Sequence, residues 1–206
     1  MMDSVKSGSR TYGGLTAEER AQGRRQRFVQ AARELIGEIG VAALTVDLVC
    51  QRSGVSKRYF YEEFSGKDDV LDACADDLYT RLREGFTAEM AAVPPGERVN
   101  AVLRSVIYAL ASDPADARLY RESPGFPRLH RRQQQAVQEF TTVLATQAMP
   151  FTGPPAAAVD RQLATRALVA GTADVITAWL NGDVETDVET LIATLNTTAL
   201  AAAERL

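Results

Sequence analysis

An all-α fold is expected for this 206-residue chain, and three observations predict it. Apolar residues recur at steps of three and four along nearly every long segment, which is the period of one buried helix face. The stretches between these segments carry helix caps and stops. Nowhere does a run alternate strictly between apolar and polar residues and end in a hairpin turn. With 46% hydrophobic residues, the chain has enough apolar surface for a sizeable core, as one or two compact units. No uninterrupted run of about 18 apolar residues occurs, and the N-terminus lacks a signal-type hydrophobic segment, so a soluble, cytoplasmic protein with no membrane partner is expected.

Residues 1–16, rich in Gly and Ser with Lys6 and Arg10, read as a flexible arm, which is either an ordinary chain end or a basic tail able to reach DNA. Thr16, Glu18 and Glu19 resemble the acidic start of a helix. Phe28, Ala31, Ala32, Leu35, Ile36 and Ile39 then follow a helical stripe that Gly40 closes as a C-terminal stop. In Thr45–Phe64, TVDLVCQRSGVSKRYFYEEF, Thr45 caps a helix of about two turns that turns Val46, Val49 and Cys50 inward. Gly54 supplies the positive φ of a tight turn, and Val55 plugs it. Ser56 caps a second helix, whose Phe60 and Phe64, four apart, face the core while Lys57, Arg58, Tyr59 and Tyr61 fall outside that stripe. This is a helix-turn-helix, a unit whose second helix lays its N-terminal residues on base edges in the major groove.

The remaining elements follow from their punctuation. Ser65 with Asp68 gives a capping-box-like start to a long helix carried by Leu71, Cys74, Leu78, Leu82, Phe86 and Met90. VPPG at 93–96 stops it. Val99, Val102, Val106 and Leu110 mark the next helix, and Asp113-Pro114 starts a short one reaching about Arg121. After SPGFP, Leu129, Ala136, Val137, Phe140 and Leu144 form an inward stripe that ends at MPFTGPP. From about Ala156 a helix shows Leu163, Ala167, Ala170, Val175 and Trp179 and ends at Asn181-Gly182. Thr186 and Glu189 cap the last helix, whose stripe is Val188, Leu191, Ile192, Leu195, Ala199 and Ala202. The total is about nine helices.

Charge is divided along the chain. Residues 1–67 carry 11 Lys/Arg against 8 Asp/Glu, whereas residues 68–206 carry 12 against 19, as expected of a basic nucleic-acid reader on an acidic body. Taken alone, charge also allows chance asymmetry in an acidic helical protein.

The motif resembles the TetR family of bacterial transcriptional regulators, through Thr45, Val46, Val49, Cys50, Gly54, Val55, Ser56, Lys57, Tyr61, Phe64, Lys67, Asp68 and Leu71, over roughly residues 24–80. The resemblance implies an arm over 1–16, a DNA-binding domain over 17–70 with its motif at 45–64, and a ligand-binding and dimerisation domain over 71–206. It also implies a ligand-responsive repressor acting as a homodimer on double-stranded, palindromic operator DNA. The DNA-contacting residues it implies are Thr45, Ser56, Lys57, Arg58, Tyr59, Tyr61 and Lys67. Tyr59 stands where the family often has a small threonine, and Glu62 and Glu63 stand where basic or aromatic residues are usual. The cluster Arg24, Arg25 and Arg27 begins the helix that approaches the DNA backbone in this family, or is simply solvated.

The family dimerises through its last two helices, which here carry the small residues Ala164, Ala167, Ala170, Gly171, Thr172 and Ala173. Ala167, Gly171, Leu191 and Leu195 are the expected interface. The expected effector is a small hydrophobic or amphipathic molecule in a pocket lined from Phe86, Met90, Val106, Leu110, Leu119, Phe126, Phe140, Val169, Ala173, Ile176 and Trp179. The same spacing also serves plain core packing. Arg104, Tyr108, Arg118 and Asp174 are candidates to orient the ligand.

Catalytic chemistry has little to rest on. His130 is the only histidine and lies in a polar helical stretch, and no phosphate-cradling glycine loop or G-x-S-x-G turn occurs. Asp68, Asp69, Asp72, Asp76 and Asp77 read as a solvated acidic face rather than a metal site. Cys50 and Cys74 read as reduced core thiols. No cofactor or metal is expected, and the protein is read as a non-enzyme. The alternatives are a helical small-molecule carrier or enzyme that retains the fold, and an activator of the same fold.

Overall fold

The computed structural model describes residues 16–151 and 158–204, and within them nine α-helices and no strand occur. They are α1 (Ala17–Ala43), α2 (Val46–Ser53), α3 (Lys57–Glu63), α4 (Lys67–Ala92), α5 (Arg98–Ser112), α6 (Pro114–Glu122), α7 (Pro127–Gln147), α8 (Ala158–Asn181) and α9 (Val188–Ala203). Short 3-10 turns at Pro95–Glu97 and Ser123–Gly125 precede α5 and α7. The expected arm lies outside the described residues apart from Thr16, as does the start of a helix at Ala156.

Helix α1 opens on a reciprocal cap. The Thr16 hydroxyl accepts from the Glu19 N–H at 3.1 Å, and the Glu19 carboxylate accepts from the Thr16 N–H at 2.6 Å, which satisfies two otherwise orphaned donors. Phe28, Ala31, Ala32, Leu35 and Ile36 are buried as the stripe requires, and Gly40, at φ 85°, kinks the helix where its stop was expected. Ile39 departs from the stripe at 38% exposure, since no further regular turn follows to cover it.

Three caps differ from expectation by a residue or a partner. At the start of α4, Ser65 pairs with Asp69 rather than Asp68: its N–H donates at 3.0 Å and its hydroxyl donates as well, with Gly66 in the cap position. The α9 cap is Asp187, whose carboxylate accepts from the Thr190 N–H at 2.9 Å, leaving Glu189 to reach Arg104 and Tyr108. Ser56 makes no side-chain cap bond. By contrast, Asp113 caps α6 as expected, accepting from the Ala115 N–H at 2.8 Å ahead of Pro114.

One hydrophobic cluster runs continuously from Phe28, Phe60 and Phe64 through Leu78 and Leu82 to Ile176, Leu191 and Ile192. A smaller cluster gathers Phe86, Met90, Val102 and Ala148 beside Phe140. The most extensive helix pairing joins α1 to α6, and its close approach requires Gly37, where an added Cβ would lie 3.3 Å from the Ala115 backbone. Charged groups lock this pairing. Asp116, only 2% exposed, accepts from Arg33 at 3.0 Å and from Arg81 of α4 at 2.6 and 2.9 Å. Arg33 also reaches Asp113 at 2.9 Å, Arg118 donates to the Glu38 carbonyl at 3.1 Å, and Glu122 accepts from the Val41 N–H at 2.8 Å.

The acidic face of α4 is not simply solvated. Arg128 of α7 engages Asp68, Asp69 and Asp72, Arg132 engages Asp76 at 2.6 Å, and Asp77 pairs with Arg81 at 3.0 Å. The pairs of Arg128 and Arg132 form an ion-pair seam between α7 and α4, while Asp77–Arg81 lies within α4, and each exposed pair is worth at most about 1 kcal/mol. Among the described residues, no group of three or more His, Cys, Asp and Glu side chains could hold a metal ion. His130 is half-buried, its Nε2 paired with the Gln134 side-chain nitrogen at 2.9 Å.

Helix α8 departs furthest from its expected stripe. Leu163 is 59% exposed, and Ala167 and Ala170 are also exposed, while Thr165 and Ile176 are buried. Its small apolar residues occupy both faces, so periodicity could not choose between them. By length and composition, Asp160–Asn181 is long and apolar enough to cross a membrane, with a mean hydropathy of 1.2. Arg166 and Asp174 interrupt that stretch.

Candidate nucleic-acid interface and interior cavity

The helix-turn-helix is built as its residues dictate. The Thr45 hydroxyl accepts from the Leu48 N–H at 3.3 Å to start α2. Gly54 closes α2 in the left-handed region at φ 66°, where a side chain would be strained. Val55, 8% exposed, fills the turn. Helix α3 is held from one side only: Phe60 packs edge-on against Phe28 of α1 at 5.2 Å and lies 5.4 Å from Phe64, which also meets Phe28 at 6.2 Å. Burying these rings fixes the rotation of α3 and leaves its other face in water.

On that open face the Arg58 side chain is 86% exposed, Tyr61 59% and Tyr59 42%. Two of the other proposed contacts are tied to neighbouring elements. Lys57 forms an ion pair with Asp47, and Lys67 donates to the Ala42 carbonyl at 3.0 Å, tying α4 to the end of α1. Ser56 is exposed beside them, and Thr45 is committed to its cap.

The two unusual carboxylates are answered within the chain. Glu62 accepts from Arg58 Nε at 3.3 Å, one turn away, and Glu63 pairs with Arg24 at 3.4 Å. The arginine cluster of α1 serves the motif itself. Arg24 also lies over the Tyr59 ring at 4.7 Å, and Arg25 lies over Phe64 at 4.4 Å while donating to the Glu63 carbonyl at 3.1 Å. Arg27 donates to the Ser53 carbonyl at 2.6 Å, at the C-terminal end of α2 where the helix dipole favours a cation. These contacts span 26 to 39 residues, and the only hint of them in the sequence was the density of arginine.

Residues 28–74, from the middle of α1 into α4, match the model of "Bacterial regulatory proteins, tetR family". The HTH-type transcriptional regulator BetI of Rhizobium meliloti is 37% identical over 82 residues, covering 39% of this chain and 40% of that protein. Over these residues the chain is similar to the TetR family. The match thus spans about two-fifths of the curated relative's length. Across most of the chain the TetR-type fold is shared at lower identity. The fatty acid degradation regulator FadR from Bacillus halodurans superposes with a TM-score of 0.71 at 20% identity, covering 86% of this chain and 94% of its own. The multidrug binding protein EbrR complexed with imidazole gives 0.65 at 20% identity, covering 85% and 94%.

Beyond the motif the helices border a cavity of about 100 Å³ between α4, α5, α6, α7, α8 and α9. Of the expected lining, Val106, Phe140, Val169, Ala173 and Ile176 border it. Phe86 and Met90 are packed in the smaller cluster, Leu110 and Leu119 are closed into the main core, and Phe126 packs against that core. Trp179 is also outside the cavity and donates its indole N–H to the Thr186 carbonyl at 3.0 Å. The expected polar residues do not converge there. Arg104 and Tyr108 bind Glu189 on the surface, Arg118 holds α1, and Asp174 is exposed. The polar lining is instead Tyr79, Tyr120, Gln133, Thr165 and Thr172. The first three were missed because their helical positions look like ordinary core or surface.

Between α8 and α9 runs a separate groove bordered by Ala167, Gly171, Leu191 and Leu195 with Val175 and Thr198. A Cβ built on Gly171 meets nothing within 4 Å.

Proposed function

We propose that this chain is a DNA-binding transcriptional regulator that acts as a ligand-responsive repressor and binds a palindromic operator as a homodimer in the cytoplasm. The observation that carries this reading is the one-sided burial of α3, which presents Arg58, Tyr59 and Tyr61 to solvent from a helix fixed by the Phe28–Phe60–Phe64 cluster. Residues 17–70 serve as the reading unit and 71–206 as the sensing and pairing unit. Arg58 reads base edges, and Tyr59 and Tyr61 contact a thymine methyl or phosphates. Ser56, Thr45, Lys57 and Lys67 hold the backbone, the lysines by releasing their internal partners. The named relative, a transcriptional regulator, supports the same assignment over these helices.

Self-pairing through α8 and α9 is supported by the open groove and by the exposed Leu163, Ala167 and Gly171, which allow close helix approach. Apolar surface of this kind explains the hydropathy of α8 without a membrane. Sensing is supported by the route from cavity to motif. Tyr79 and Leu82 of α4 line the cavity on either side of Arg81, and Tyr120 lies one turn from Asp116 on α6. Asp116 in turn accepts from both Arg81 of α4 and Arg33 of α1. A ligand that favours the DNA-incompetent arrangement about 100-fold shifts the equilibrium by about 2.7 kcal/mol. The cavity lining holds no His, Cys, Asp, Glu, Lys or Arg among the described residues, which supports binding rather than catalysis there.

The test is the affinity of the full chain for duplex DNA as salt is varied. Specific binding with a steep salt dependence is expected, and Arg58→Ala should alter which base is preferred, whereas Lys67→Ala should weaken all sequences and lower the log–log salt slope by roughly one. Loss of affinity in Arg58→Ala without any change in preference would remove that side chain from the reading face.

A further inference from the structure

One side chain of the reading face is held from another helix. Arg24 of α1 lies over the Tyr59 ring at 4.7 Å, and its guanidinium also donates to the Glu63 carboxylate at 3.4 Å. Tyr59 and Glu63 stand four residues apart on α3, so they share one side of that helix and a single guanidinium spans both. This arrangement is better enclosed than the neighbouring ion pair. Arg24 and Glu63 are 26% and 15% exposed, against 86% and 44% for Arg58 and Glu62, so the Arg24 side chain is confined between two helices where Arg58 reaches into water. Arg25 fixes the end of the same helix by donating to the Glu63 carbonyl at 3.1 Å.

Tyr59 is the third residue of α3, in the turn of a recognition helix that meets base edges. A ring already held in one orientation loses little conformational freedom on contact, which favours a partner of fixed geometry. Phosphate is disfavoured as that partner. Glu62 and Glu63 lie one turn further along α3, and the Arg24 charge beside the ring is already paired with Glu63. Carboxylates so close repel a phosphate brought to the same side of the helix. What the ring offers is apolar surface, and the apolar feature of a base edge in the major groove is the thymine methyl.

We propose that Arg24 is a positioning residue: without touching DNA itself, and together with Glu63, it sets the Tyr59 ring against the methyl group of one thymine in each half-site and so fixes the preference at that base pair. The inference rests on the reading of α3 as the helix that enters the major groove.

The test compares the sequences selected from random duplex DNA by the full chain and by its Tyr59→Ala and Arg24→Gln variants. Tyr59→Ala identifies the base pair, as the thymine whose enrichment is lost. Arg24→Gln should lose the same enrichment and keep the rest of the half-site, with the log–log salt slope of binding unchanged. On the selected site, deoxyuridine in place of that thymine in one half-site removes only the methyl. It should weaken the wild-type chain about fourfold, the effect of one buried methyl group, and leave Arg24→Gln unaffected. A thymine preference that survives in Arg24→Gln would overturn the proposal, as would a motif unchanged in Tyr59→Ala or wild-type binding indifferent to the methyl. Two further outcomes reject it. Equal weakening on all sequences marks Arg24 as a structural clamp only, and a salt slope lower by roughly one with the motif intact marks a direct phosphate contact. Should Arg24→Gln fail to fold, Glu63→Ala releases Arg24 from its other side, and retention of the thymine preference there is equally fatal. A wild-type chain that enriches no motif fails the reading of α3 itself, whereas an enriched motif indifferent to Arg24 fails the positioning alone.

Discussion

Glu62 is the side chain with the most conspicuous effect on the reading face, because it sits one turn from Arg58 and accepts from its Nε at 3.3 Å. Both groups are largely exposed, so the pair itself contributes little stability. Its consequence is for binding: the carboxylate both repels phosphate and occupies the guanidinium that would meet a base. Glu62→Ala is therefore expected to leave the thermal midpoint unchanged within about 2 °C and to raise affinity for DNA of any sequence, as measured by anisotropy at low salt. A fall in affinity would show instead that Glu62 accepts from a base. Cys74 offers a second expectation. It is fully buried, its thiol is pushed up to about 12 by desolvation, and its sulfur lies 3.7 Å from the Val29 carbonyl. It should resist alkylation at pH 8 until the chain unfolds, because the reactive thiolate is suppressed. Labelling of native protein at Cys74 would mean that α1 and α4 separate readily.

The decisive contact between elements is the charged lock of α1, α4 and α6. Removing one partner from a buried ion cluster leaves the others desolvated and unpaired, so Asp116→Ala should destabilise the fold by about 3 to 5 kcal/mol in urea denaturation. Asp113→Ala, whose loss is a cap on a partly exposed helix end, should cost about 1 kcal/mol. Equal effects of the two would refute the special weight given to Asp116. The lock could not be read from the sequence, since Arg33 and Asp116 are 83 residues apart and each looks like a surface residue in its own helix. What was readable was local: Thr45, Gly54, Val55, Phe60 and Phe64 set α2, the turn and the buried side of α3 within twenty residues, because caps, positive φ and four-residue spacing act at short range. The cavity fell between these cases. Spacing placed Val106 and Phe140 inward, and Val169, Ala173 and Ile176 were among the candidate lining residues, but spacing cannot show where neighbouring helices leave a void, so Phe86, Leu110 and Leu119 were equally eligible and are packed shut. In α8, with apolar residues on every side, even the inward face was undetermined.

For the molecule as a whole, reading a palindromic operator as proposed requires two reading units held at a fixed spacing. Gly171 tests the holding: nothing within the chain lies near its missing Cβ, so Gly171→Glu should spare the fold of a single chain yet separate the pair, seen as a halved mass in sedimentation and a loss of DNA affinity. A wild-type monomer at micromolar concentration would remove the pairing. The reading itself is tested most directly by selecting bound sequences from a pool of random duplex DNA with the full chain at moderate salt. The expected result is one enriched motif with two-fold symmetry, its half-sites centred about one helical turn, or a multiple of it, apart, and a changed half-site when the selection is repeated with Arg58→Ala. Recovery of unenriched sequence, bound no better than bulk DNA, would contradict the claim that α3 reads an operator.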